Sequence, residues 1–408
     1  MSQRHGRAAF GFIFVTVMLD MLALGIIIPV LPKLVIQFEG GNTARAAAIY
    51  GVFVTVWAAM QFLAAPLLGA ISDRFGRRRV ILISTLGLGL DYIVMAVAPT
   101  LGWLFVGRVI SGLTSASFAT GYAYIADVTP EDQRAGRYGL LGAAFGTGFI
   151  LGPALGGIAG SIHLRLPFWI AGVLSLAGTA YGWLVLPESL PPERRAPFRW
   201  TRANPLGALR FLKGHGALFG LASAAFLYRV AHDLAPTLFV IYTDHRYHWN
   251  ARTVGLVLAL IGVASMIVQG GIVRHAVKRF GERRTMTVGL LAGASAQVVF
   301  GAAATGRAFL MGIPFSALFG LTYPSLQGLM TRRVGPDEQG QLQGALASLM
   351  GIAGIVAPLL FTRVFEVGIG AGRADIWAGA PFYLASTILL VALIVAGFAT
   401  RAGRPAAA

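Results

Sequence analysis

Asp20, Asp91, Arg108, Arg229, His232 and Asp233 interrupt stretches of sequence that are otherwise almost wholly apolar. A charge at the centre of a bilayer costs about 2.5–3.5 kcal/mol even on insertion-based scales, so each such residue points to a proton relay or a charge-paired ligand site. Asp20 lies near the middle of its segment, with Pro29 and Pro32 further out and no charged residue close in sequence. A carboxyl group among apolar neighbours exchanges its proton according to whether a cation is near. Asp20 is thus a candidate proton carrier that responds to Arg108 or to a cationic substrate. The other reading is a static Asp20–Arg108 pair, and Asp91 is a second possible partner for the arginine. Arg229 and Asp233 are four residues apart and His232 three from Arg229, so all three share one helix face. They form either a self-neutralising pair that permits insertion or part of a proton or substrate site, where histidine suits proton exchange near neutral pH.

A second cluster reads Gly69-Ala-Ile-Ser-Asp73-Arg74-Phe-Gly76-Arg77-Arg78-Arg79. Gly76 permits a tight turn, the arginines hold the loop at the membrane face, and Asp73 can cap a helix start or pair with them. A topogenic basic loop is the plain reading; the spacing favours a gate-like charge network. Asp127, at the end of the fourth apolar segment, is placed to pair with this loop. Gln61, Phe118, Tyr122, Arg229, Tyr323 and Gln327 are candidates to line a cavity for an amphipathic ligand. Alternatively, the aromatic ones simply face lipid or neighbouring helices.

The elements that position these groups are helices of membrane length. The chain has 408 residues, 56% hydrophobic and 12% charged, against about 25% charged in a soluble domain. Apolar runs near 20 residues long fall at 8–31, 46–71, 80–98, 101–125, 136–160 and 167–186. A second set falls at 217–241, 253–273, 285–304, 309–330, 342–365 and 377–399. Most of the 33 Lys and Arg residues lie on the side of both termini, which the positive-inside rule makes cytoplasmic. The net charge of +17 is therefore topology, with some attraction for anionic lipid, and does not indicate nucleic acid. The first segment is too long for a cleaved signal peptide and carries Asp20 in its middle. With no cysteine, disulfides and thiolate metal sites are excluded. No phosphate-binding Gly-x-x-x-x-Gly-Lys loop, metal cluster or nucleophile elbow is present, so neither an ATP-driven pump nor an enzyme is expected, and no cofactor.

Residues 187–216 form the longest polar stretch and divide the chain into a six-helix bundle at 1–186 and another at 217–408. The halves echo each other. Phe75-Gly76-Arg77-Arg78-Arg79 recurs 205 residues later as Phe280-Gly281-Glu282-Arg283-Arg284, and Gly139 and Pro153 recur at the same offset as Gly344 and Pro358. The fifth segment is unusually rich in small residues. Gly148, Gly152 and Gly156 share one helix face; Gly139, Gly142, Gly146 and Gly157 share the opposite one. Such a helix can be clasped closely on both sides.

These motifs resemble those of the major facilitator superfamily, in particular its twelve-helix drug:proton antiporters. Gly69 to Arg79 resembles the loop 2–3 signature, and Arg108-x-x-x-Gly112 the helix 4 signature associated with proton coupling. Gly139-x8-Gly148-x3-Gly152-Pro153-x2-Gly156-Gly157 resembles the helix 5 antiporter signature. Leu19-Asp20, Gly25 to Pro32, Met60-Gln61, Leu90-Asp91-Tyr92, Arg246 to Trp249, Leu326-Gln327 and Gln339 to Gly344 look like the tetracycline/proton antiporters. The resemblance implies an all-α integral membrane protein with twelve transmembrane helices in two pseudo-symmetric six-helix bundles. It also implies a bacterial inner membrane location, both termini cytoplasmic, and a monomer that exports an amphipathic, tetracycline-like drug in exchange for protons. A proton-coupled symporter or facilitator for a small metabolite is the alternative. Two departures stand out. Ser265 and Gly293 replace a helix 8 histidine and a helix 9 aspartate of many tetracycline exporters, whereas the Arg229, His232, Asp233 trio is outside that pattern. The C-terminal half is accordingly expected to bind or couple differently, with its charges relocated to helix 7.

Overall fold

Glycine and proline mark several of the places where the helices break. The computed structural model describes residues 3–115, 117–195, 209–213, 216–335, 338–370 and 374–402, and among these there is no strand. The first half contains α1 (Gln3–Ile27), α2 (Leu31–Phe38), α3 (Thr43–Phe75), α4 (Arg77–Val97), α5 (Leu101–Thr114), α6 (Ser117–Val128), α7 (Glu131–Ile162) and α8 (Leu166–Val185). Then follow α9 (Arg210–Lys213), α10 (Gly216–His232), α11 (Leu234–Tyr247), α12 (Ala251–Ile267) and α13 (Val273–Ala302), the last two joined by a π-helical turn at Val268–Ile272. The chain ends with α14 (Gly306–Leu310), α15 (Ile313–Phe319), α16 (Thr322–Thr331), α17 (Gln339–Gly368) and α18 (Ala380–Ala402).

Each apolar run expected from the sequence coincides with helix, but several are not single rods. The first run breaks after Ile27, where Pro29 removes a donor, and resumes with Pro32 in the first turn of α2. The fourth breaks at Ser115, the seventh at Asp233 and the tenth at Gly312 and again at Gly320. At Asp233, Gly312 and Gly320 the backbone stays right-handed, so these helices jog without reversing. The eighth and ninth runs are continuous except at Gly281, whose φ of 76° turns the chain. Only glycine adopts that conformation at little cost.

Ten stretches of the described residues are long and apolar enough to cross a membrane. Large apolar side chains stand exposed along them, Ile162, Trp183, Leu184, Met311 and Phe398 among them. In water so much exposed apolar surface would drive aggregation, whereas lipid solvates it. The protein is a multi-pass membrane protein.

The chain forms two compact units. One comprises Met1–Gly41, Val56–Asn204 and Trp249–Ala259; its core gathers Ile13, Val17, Met21, Ile81, Tyr124, Ile125, Leu141 and Leu186. The other comprises Asn42–Thr55, Pro205–His248 and Leu260–Ala408. Here an aromatic core forms around Tyr242, whose ring meets Phe365 and Phe382 and whose hydroxyl donates to the Phe300 carbonyl at 2.9 Å. Each unit therefore includes one short segment from the opposite half of the sequence, and α3 and α12 each contribute to both.

Candidate functional site

In the first unit the intramembrane charges gather on α1, α4 and α5. Asp91 (0% exposed) accepts a hydrogen bond from Arg108 Nη2 (Arg108 8% exposed) at 3.2 Å through Oδ2, and the same nitrogen lies 3.3 Å from Met95 Sδ. Asp20, 3% exposed, lies with Asp91 and Arg108 within electrostatic reach of the buried Tyr92. Asp91, the second partner considered above, is thus a carboxylate partner of Arg108. Gly107 is what lets the pair form on adjacent helices, because a Cβ there would stand 2.5 Å from Asp91 Oδ1. The pair is not fully satisfied: among the described residues Asp91 Oδ1 and Arg108 Nε are buried with no hydrogen-bond partner within ordinary geometry. Buried ion pairs hold firmly only when their remaining atoms are bonded, so this one retains capacity for a proton or a ligand atom.

The loop between α3 and α4 is a closed network. Arg77 pairs with Asp73 at 2.5 Å and with Asp127 Oδ2 at 3.3 Å, and donates to Ser72 Oγ at 2.6 Å. Gly76 turns the chain with φ 103°. Glu188 packs against it, in the space a side chain at position 76 would need. Asp73 does not cap α4. That role falls to Glu188, whose Oε1 accepts from the backbone N–H of Arg77 at 2.8 Å, Ser189 at 3.0 Å and Leu190 at 3.1 Å. Ser189 Oγ also donates to Asp127 at 3.0 Å. Arg78 donates to the Trp183 carbonyl at 2.5 Å, Arg74 stacks on Phe75, and the Gly69 carbonyl accepts from Ser72 Oγ at 2.9 Å. The stretch after α8 thereby ties the loop to the C-terminal ends of α6 and α8.

Helix α7 meets α1 backbone to backbone. A Cβ on Gly148 would sit 2.8 Å from the Met21 carbonyl carbon, and one on Gly152 would sit 2.6 Å from Gly25 Cα. Gly156 abuts the Ile26 carbonyl, and Pro153 lies against Gly25. The opposite face differs from the expectation of a clasp on both sides. Gly157, toward the C-terminal end of the helix, lies against Ala251 and Gly255, while Gly139 and Gly142 face open space. Period alone places small residues on two faces; which face is filled depends on the neighbour.

In the second unit Arg229 Nε bonds Asp233 Oδ2 at 2.9 Å, and His232 Nδ1 lies 3.6 Å from Asp233 Oδ1. The Asp233 side chain is 8% exposed while that of His232 is 48% exposed. Tyr228 stacks beside Tyr323 with centroids 5.9 Å apart, and packs against Phe319 at 4.7 Å and His232 at 5.8 Å. Gly293 makes this aromatic wall possible, since the Phe319 ring occupies the space next to it that a side chain would fill. The other cavity candidates are dispersed. Gln61 donates to Ser115 Oγ at 2.9 Å, Tyr122 packs on Tyr138, and Gln327 donates to Gln343 at 3.3 Å. Phe118 belongs to α6, and its side chain lies outside the described residues.

Residues 13–358 match the profile of the Major Facilitator Superfamily. The chain belongs to the major facilitator superfamily. Tetracycline resistance protein, class C, of Escherichia coli is 37% identical over 381 residues, 93% of each chain. Tetracycline resistance protein, class G, of Vibrio anguillarum is 36% identical, covering 90% of this chain and 93% of its own. The crystal structure of a bacterial homolog of the human lysosomal transporter Spinster, inward-facing and unoccupied, shares the fold with a TM-score of 0.79 at 15% identity, over 98% of both chains.

Within this superfamily member, sequence reasoning overlooked two features. Glu188 stands just after an apolar run and reads as a polar residue of the linker; only folding back of that segment makes it a cap. The second is a reversed ion pair. Glu282 and Arg332 lie 205 residues beyond Arg77 and Asp127, and they pair at 3.0 Å with the charges exchanged. Applying the repeat offset to the basic loop would have exposed it.

Proposed function

We propose that this protein exports an amphipathic drug of the tetracycline class in exchange for protons. The observation that carries the reading is the buried set Asp20, Asp91 and Arg108, which has no structural use in an apolar span that would insert more easily without it. Similarity to tetracycline resistance proteins over nine-tenths of the chain supports the substrate class.

The architecture we infer has twelve crossings. Ala251–Ala302, 52 residues long, would measure about 78 Å as a helix, enough for two crossings that meet at Gly281. Helices α5 and α6 together supply another that neither provides alone. The chain then divides into bundles at 1–186 and 217–408 joined by the cytoplasmic linker 187–216, with both termini cytoplasmic, in a bacterial inner membrane, working as a monomer. The bundles rock to expose a midplane site to each side in turn.

In the cycle, a proton from outside reaches Asp20 or Asp91 and displaces the drug; its release inward restores the carboxylate and with it drug affinity. When Asp91 is protonated, Arg108 loses its counter-charge and is freed to turn to Asp20. Each proton moving through about 100 mV supplies about 2.3 kcal/mol. Arg77, Asp73, Asp127 and Glu188 form the inner latch, and the Gly148–Gly152–Gly156 seam is the surface along which α7 slides on α1. Arg229, His232, Asp233 and Tyr323 offer the drug a polar, aromatic face. An exposed imidazole within a membrane span must meet water or ligand, not lipid.

The test is proton-gradient quenching in everted vesicles across a drug panel that includes tetracycline, with Asp20→Asn alongside. Drug-dependent proton release that D20N abolishes, at equal expression, is expected. No drug-dependent proton movement for any compound overturns the exporter reading.

A further inference from the structure

We infer that the inner end of α12–α13 carries a binding site for an anionic phospholipid. The site is a groove of about 320 Å³ lined by Gly271, Ile272, His275, Ala276, Arg279 and Phe280. Its walls are apolar and its rim is basic.

Three independent features build it. First, the π-helical turn at Val268–Ile272 widens the helix where Gly270 and Gly271 omit side chains, and a Cβ added at either would meet nothing within 4 Å. Second, His275 is held against this turn by a 2.8 Å hydrogen bond between Nδ1 and the Gly271 carbonyl, while the Arg279 guanidinium sits 5.8 Å from the Phe280 ring centre. Phe280 itself is exposed. Third, the surrounding charge is of one sign. His275 and Arg279 are the basic residues of the lining; Arg274, Lys278, Arg283 and Arg284 are near them in sequence, and the one acid of this stretch, Glu282, is taken by Arg332 at 3.0 Å.

Depth decides between a lipid and a soluble ligand. Counted from Ala251, about 20 helical residues cross the hydrocarbon layer, so the far boundary falls near Gly271. The apolar walls therefore start at the edge of the acyl region, and the cations from Arg274 to Arg284 lie at headgroup level. An acyl chain in the groove with its phosphate on Arg279, next to the exposed Lys278 in sequence, satisfies both halves of the site. Inorganic phosphate would use the rim alone. The groove between α4 and α8, lined by Leu86, Leu176, Thr179, Ala180, Trp183 and Leu184, has a similar volume of about 330 Å³ but no cation in its lining. It serves as the internal control.

The experiment is native mass spectrometry of the full-length protein released from detergent containing equal amounts of phosphatidylglycerol and phosphatidylcholine, repeated with added inorganic phosphate. Wild type should retain phosphatidylglycerol preferentially. Arg279→Gln should weaken retention about fivefold, the worth of one interfacial charge, and R279Q/K278Q further. Gly271→Leu, which fills the groove while leaving every charge in place, should also lose the preference. Leu176→Ala, in the control groove, should not. Equal retention of the two lipids, a G271L protein that holds phosphatidylglycerol as wild type does, or displacement of the lipid by inorganic phosphate would each overturn the site. R279Q and G271L act on different parts of it, so misfolding of one leaves the other to decide.

Discussion

Replacing Gly152 by alanine tests whether the glycine seam is a packing device. The added methyl would lie 2.6 Å from Gly25 Cα, 2.8 Å from the Gly25 carbonyl carbon and 3.0 Å from Ile26 N. Carbon atoms rest about 3.5 Å or more apart, so α7 and α1 must part by about 1 Å. The obstruction is backbone, which cannot rotate away as a side chain would. Overpacking of this kind costs about 1–3 kcal/mol, and the gain in helix propensity on leaving glycine offsets at most about 1 kcal/mol of it. Gly139→Ala is the matched control: it lies on the same helix and in the same motif but has open space around its Cα. There the propensity gain stands alone, and stability should rise or stay level. Thermal unfolding of both variants in one detergent, with drug export in cells, reads the difference. Expected are a G152A protein less stable than G139A by about 1–3 kcal/mol and impaired in export, and a G139A protein that exports normally. If G152A and G139A unfold together and export alike, the seam is not what joins α1 to α7.

Asp91→Asn strands the Arg108 cation beside an amide and should cost about 3–5 kcal/mol, with D91N/R108Q recovering much of the stability but not proton-driven export. Unfolding and everted-vesicle assays on the two variants separate those effects. Glu188→Gln removes the charge that holds three backbone donors and should loosen the inner latch by about 1.5–3 kcal/mol. The readout is faster trypsin cleavage within Arg77–Arg79 in inside-out vesicles. Charge reversal at Glu282 or Arg332 alone should lower expression, whereas E282R/R332E restores an opposite-sign contact and should express as wild type; failure of the double variant to recover would show that the 3.0 Å pair is incidental.

Local rules made the spans and the turns legible. Hydropathy located the helices because lipid forces every backbone group into internal hydrogen bonds, and Gly76 announced a turn because few other residues take its φ of 103°. What depends on the rotation of one helix against another was out of reach. Whether Arg108 meets Asp20 or Asp91 is a question of which way α1, α4 and α5 present their faces, and residue spacing within one helix says nothing about it. The same limit hid the open space at Gly139 and Gly142. The break at Asp233 was missed for a different reason. Charges at i and i+4 read as a continuous helix face, yet the helix jogs there while the Arg229–Asp233 contact survives across the jog.

The 205-residue offset separates what is symmetric in this protein from what is not. The turn glycines Gly76 and Gly281 both take positive φ, and the latch pairs 77–127 and 282–332 both close. The break at Asp233 falls 205 residues after Ile28, inside the break between α1 and α2. Scaffold and latch therefore repeat. The chemistry does not. Asp20, Asp91 and Arg108 correspond to Ala225, Ala296 and Ile313, while Arg229, His232 and Asp233 correspond to Leu24, Ile27 and Ile28. Even the glycine seam is one-sided, since Gly148 and Gly152 become Ala353 and Ala357. In the proposed cycle the carboxylates Asp20 and Asp91 of one half take the proton and the exposed imidazole and tyrosine wall of the other face the drug, so proton and drug would occupy different groups. Under that proposal the Gly148–Gly156 seam, on the same α1–α7 helix pair as Asp20, is where motion of α7 would be felt by the acid.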